Sequence, residues 1–154
     1  MYLAPIAPAW IVRKKPPAVA DQLCLTESRY ARRVPIAATA FVALVALEHV
    51  WFGILEMVLW TKPIGLKTFQ RTLAEQQASA GLAMNQGLYN LFLVAGLVWG
   101  LVAEGPMAHA LKIFFLGCVV VAGVFGGLTV NKKILFLQAA PAAVGLAMVL
   151  LSGT

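Results

Sequence analysis

The stretch ALEHVWFGILEMVLW, residues 46–60, sets two carboxylates and an imidazole among side chains that prefer oil. His49 and Glu56 are residue types that take and give protons. They are therefore candidates for acid–base work on a bound molecule, or for coupling a proton to binding. They lie seven residues apart, so on a helix of about 3.6 residues per turn they share one face, two turns apart. Glu48 is rotated by about 100° from His49 and need not serve the same site. An ion at the centre of an apolar span costs on the order of 2.5–3.5 kcal/mol, so such residues face a protein interior and find partners there.

Partners occur at matching depths. Glu56 lies four residues before the end of its apolar run near Trp60, and Asn85 four residues after the start of the next near Gly81. At about 1.5 Å per residue both are roughly 6 Å in from the same side. The segment NQGLYN, 85–90, adds Gln86 and Asn90 on one helix face and places Tyr89 beside Asn85 on the adjoining one. Asn90 falls near the level of Trp51, within a turn of His49, and Gln138 enters the same half from a fourth run. Thr129 and Asn131 end the third run on this side. The opposite half holds Glu104, His109 and Lys112 only at its rim, within snorkelling reach of water.

These groups must be positioned by segments that cross a membrane. Of the 154 residues, 61% are hydrophobic and 12% charged, about half the charge of a soluble domain. A body this small could not hide that much apolar surface from water, whereas lipid tails can cover it. Four apolar runs, about 34–60, 81–102, 107–130 and 134–151, approach or exceed the length needed to cross about 30 Å of hydrocarbon. Each must satisfy its own backbone, so each is read as a helix, with a kink at Pro141.

The expected fold is all-α: an up-down bundle of four transmembrane helices within 34–154, both termini on one side. The connection 61–80 is polar and is expected to form a short surface helix, whereas 103–109 and 131–133 are tight turns. Gly96 and Gly100, and Gly123 and Gly127, are pairs four apart that let helices approach closely, either within the bundle or in a homo-oligomer. Trp60 and Trp99 read as interfacial belt residues.

The first 33 residues differ in kind. They are basic and proline-broken, make a poor signal peptide, and are expected to be largely disordered against the lipid surface. The net charge of +6 is concentrated there, through Arg13, Lys14, Lys15, Arg29, Arg32 and Arg33. Such a tail beside a span points to anionic lipid, not to nucleic acid. Weighing basic residues close to the spans places the 61–80 loop in the cytoplasm, in a multi-pass protein of the cell membrane. Cys24 and Cys118 give neither a disulfide framework nor metal spacing, and Cys118 reads as a small buried hydrophobe. His49 and His109 lie at different depths, which disfavours a bis-histidine haem. His49 and Glu56 alone are too few ligands for zinc.

The segments ALEHVWFGILEMVLWTKPIGLKTF (46–69), NQGLYNLFLVAGLVWGL (85–101), VAGVFGGLT (121–129) and QAAPA (138–142) resemble the domain-of-unknown-function 1304 family of small integral membrane proteins. The likeness covers about residues 36 to 151. It implies a four-helix membrane protein and carries over Glu48, His49, Glu56, Asn85, Gln86, Tyr89 and Asn90 as motif positions, with no reaction and no cofactor. Three readings of the polar cluster stay open. The first is a pocket for a small or amphipathic molecule, within a transport or sensing cycle, formed by these residues and Gln138 with Trp51 and Phe52 as walls. The second is a membrane-embedded acid–base enzyme acting through Glu56 and His49 on a lipophilic substrate. The third is a structural subunit whose amides only join helices, at about 0.6 kcal/mol each.

Overall fold

The computed structural model describes residues 19–152, with side chains placed from residue 35 onward. Helix α1, Val19–Met57, runs for 39 residues. Its apolar part, Pro35–Met57, is long enough to cross a membrane, as are Ala80–Val102, Gly105–Thr129 and Lys132–Ser152. The 1–33 tail was expected to be largely disordered; its first 18 residues lie outside the described region, and from Val19 onward the backbone is helical.

Along the described side chains of α1, Ala38, Val42, Val45, Ala46, His49 and Gly53 are buried in a repeat of three and four that winds one strip onto the bundle interior, and Leu55 is buried beside its end. That strip meets helix α4, Ala80–Val102, and helix α7, Ala140–Ser152. Helix α5, Gly105–Thr129, closes the ring by packing on α4 and α7. Leu97, Leu116, Val119, Ala142 and Val149 complete the core.

Glycine decides how closely α5 meets its neighbours. A methyl added at Gly123 would lie 2.6 Å from the Ala139 backbone nitrogen, and one at Gly127 would lie 2.9 Å from Leu135 Cβ. On α4, a Gly96 methyl would strike the Phe115 ring, and the Lys112 stem lies over Gly100. Both glycine pairs are therefore occupied by contacts inside this one chain.

The polar connection after α1 forms two short helices, where one was expected. Helix α2, Pro63–Phe69, starts with proline at its first position, where a missing N–H costs nothing, and stops at Gln70 in the left-handed conformation (φ 54°). Helix α3, Leu73–Ala78, starts with a reciprocal capping box between Thr72 and Glu75. The α4–α5 turn is tight because Gly105 takes φ 63° and Pro106 follows at once.

The fourth span is not uniform. A single α-turn, α6, Lys132–Ile134, leads into a π-helical turn, Leu135–Ala139, and then into α7. The Ala140 N–H donates to the Leu135 carbonyl, five residues back. Pro141 has no N–H for the Leu137 carbonyl and its ring crowds that oxygen, so the wider coil accommodates it. A kink was expected at Pro141; what the structure shows there is a π turn, Leu135–Ala139, just before it.

Candidate functional site

His49 is fully buried, and its two ring nitrogens have different partners. The Val45 carbonyl lies 2.8 Å from Nδ1 and can only accept, so Nδ1 carries the proton. Nε2 then presents its lone pair, and the Gln138 amide donates to it at 3.3 Å. Both roles are met by the neutral imidazole. The Phe52 ring stands edge-on to His49 with centroids 5.4 Å apart. Gln138 reaches His49 from the π-helical turn, a feature frequent where a helix carries function.

A second pair lies farther along α1. The Asn90 amide of α4 donates to Glu56 Oε2 at 2.7 Å, so this carboxyl is held by an amide of another span. Four of the expected residues, His49, Glu56, Asn90 and Gln138, thus form two interhelical pairs, one from α1 to the π turn and one from α1 to α4.

Glu48 is half-buried, and its Oε2 is enclosed with no hydrogen-bond partner among the described residues. It follows Phe41 by seven residues, and Phe41 Cβ lies against Gly145 of α7. Glu48 therefore sits on the α7 side of α1. The remaining expected residues turn outward: Asn85 and Gln86 are exposed and Tyr89 is 52% exposed, on the outer side of α4. Trp51, expected as a wall, is 44% exposed. A shallow apolar groove occurs elsewhere, on α5 between Ile113, Cys118 and Phe125.

One cluster was not foreseen. The Trp60 indole N–H donates to the Gln76 carbonyl at 2.8 Å and its ring tilts against Phe69, 4.6 Å between centroids. Gln76 is fully buried and its amide donates to the Gly65 carbonyl at 3.3 Å. Gly65 has no room for a side chain, since a methyl would run into the Leu59 and Trp60 carbonyls. Trp60 is thus a clamp on α2 and α3 as well as a residue near a span end. Residue types gave no signal for it, since both bonds run to backbone carbonyls.

The sequence profile of the family described as "Protein of unknown function (DUF1304)" matches residues 43–150. The chain belongs to the DUF1304 family. No curated protein and no solved structure matches it. The DUF1304 match takes in both interhelical pairs, Glu48, the outward residues of α4 and the Trp60 clamp, and leaves out the basic tail. Among the described residues of this DUF1304 chain, no group of three or more His, Cys, Asp or Glu could hold a metal ion.

Proposed function

We propose that this DUF1304 protein binds a small or amphipathic molecule in the polar half of its bundle, within a transport or sensing cycle. The observation that carries the reading is the Gln138–His49 hydrogen bond, made from a π turn to a buried imidazole inside a span. Glu56 supports it: a carboxyl in a span whose partner is a neutral amide, not a cation. Amide partners can be exchanged for the donors and acceptors of a ligand at little net cost, because one hydrogen bond replaces another. The enclosed Glu48 oxygen adds an acceptor in the same stretch of α1. In this reading the spans alternate in direction, both termini lie on one side, and the 61–80 connection faces the cytoplasm of the cell membrane.

A structural reading is favoured by one specific observation. The four residues already satisfy each other in pairs, as helix-joining side chains would. It leaves the lone Glu48 oxygen and the placement of Gln138 on a π turn without a role. An acid–base enzyme would use the His49 Nε2 lone pair, freed when Gln138 moves aside.

The test is extraction of the full chain from native membranes into lipid nanodiscs, followed by mass spectrometry of the small molecules retained. Wild type and Val58→Ala should retain the same compound, and Glu56→Gln and His49→Phe should lose it while staying folded. Identical retention by all four proteins overturns the binding reading and leaves the structural one.

A further inference from the structure

Two amides inside a span face away from their own bundle. Asn85 and Gln86 are exposed on α4, and neither side chain makes a hydrogen bond among the described residues. The span Ala80–Val102 has 23 residues, about 34 Å of helix against about 30 Å of hydrocarbon. Asn85 is five residues in from its start, which places it on the order of 5 Å inside the hydrocarbon edge. Its side chain is too short for the snorkelling open to lysine or arginine. In lipid such a group lacks partners unless another helix supplies them.

The residues beyond Asn85 continue the same face. Tyr89, Phe92 and Trp99 follow at four, seven and fourteen residues, all within roughly 80° of arc on a helix. They are 52%, 54% and 56% exposed, and the Tyr89 and Phe92 rings already meet edge to face at 6.1 Å. The face thus combines amides near its membrane edge with broad aromatic surface deeper in.

We infer that this face of α4, bearing Asn85, Tyr89 and Phe92 with Gln86 on its shoulder, is the contact through which two copies of the chain pair. Hydrogen-bond complementarity names the occupant. Each amide carries both an acceptor oxygen and a donor NH₂, so it can bond to its own equivalent. Two copies inserted with the same orientation hold Asn85 at the same depth, and a two-fold axis along the membrane normal brings like residues together. An unrelated helix would need its own polar group at that level. The glycine pairs do not compete for this role, since Gly96, Gly100, Gly123 and Gly127 are filled from within the chain. The inference does not rest on ligand binding, because none of the two inner pairs takes part.

Single-molecule photobleaching of the labelled full chain, diluted in liposomes, tests this directly. Wild type should bleach in two steps, and Asn85→Leu/Gln86→Leu in one. In a chain with Cys24 and Cys118 replaced by Ala, Tyr89→Cys should cross-link on oxidation and Phe125→Cys, on the outer side of α5, should not. One-step bleaching of wild type overturns the inference, including the case in which lipid covers the face. So does a two-step double variant. Should the double variant misfold, the cross-linking pair decides: equal or absent cross-linking at the two positions sinks the proposal.

Discussion

The Asn90 amide of α4 donates to Glu56 Oε2 of α1 across 2.7 Å, and this bond joins the two helices in the polar half of the bundle. Truncating one partner strands the other in a poorly solvated place. Asn90→Leu should cost about 1–3 kcal/mol, as expected for a buried group left unsatisfied. Glu56→Gln should cost far less, since an amide oxygen still accepts from Asn90. Thermal unfolding in detergent, completed with the Glu56→Leu/Asn90→Leu double variant, measures the coupling. If Asn90→Leu and Glu56→Gln lower the midpoint equally, the bond does not link the helices.

Close approach at Gly123 gives a second expectation. A methyl there would press on the Ala139 backbone, which cannot move as a flexible side chain does. Gly123→Ala should destabilise by about 1–3 kcal/mol through overpacking. Gly117→Ala, on the same helix with nothing within 4 Å of the new atom, is the control and should leave stability unchanged. Equal unfolding midpoints for the two variants would show that α5 and the π turn are farther apart than described.

Pro141 bears on the histidine at a distance. Replacing it by alanine restores an N–H that can bond to the Leu137 carbonyl, which favours an ordinary α-turn over the π turn at Leu135–Ala139. Gln138 would then rotate away from His49. The expected outcome in Pro141→Ala is a changed ¹⁵N shift for His49 Nε2, with the Nδ1 bond to Val45 retained. An unchanged Nε2 resonance would show that proline does not hold the wider coil.

The capping box of α3 should be sensitive to acid. The Thr72 backbone N–H and hydroxyl both donate to Glu75 and hold its carboxyl below the ordinary carboxylate value. A depressed value means that the ionised form stabilises the fold, fully above the unfolded carboxylate range, and is lost as pH falls through the lowered value. Hydrogen exchange at the α3 amides, corrected for intrinsic rates, should therefore quicken on acidification below the ordinary carboxylate range; Thr72→Ala, which keeps the backbone N–H, should only lessen that change, and Glu75→Gln, which cannot titrate, should abolish it. Glu75 is fully exposed, so the effect is local and weakens with salt.

The bundle was readable because lipid imposes long uninterrupted apolar runs, and their approximate limits follow the helices. Depth alone set Glu56 level with Asn85 and put Asn90 near His49, whereas Asn90 bonds to Glu56 and Gln138 to His49, because depth fixes a level and not the direction a side chain takes. The outward turn of Gln86 was not readable. It shares a face with Asn90 by spacing, but spacing does not say how wide the covered strip of a helix is. Near the start of α4 that strip is narrow, since α5 packs on Gly96 and Gly100 at the other end. The Trp60 clamp escaped notice because its bonds run to backbone carbonyls, which no residue type announces.

The coil at Leu135–Ala139 takes one more residue per loop than its neighbours need. It is a link with slack built in. Drawn into the regular winding, it would swing Gln138 through roughly a quarter of a circle and slide the rest of that span about 1.5 Å lengthwise. Letting go of an imidazole and shifting a helix by a single notch would then be the same movement.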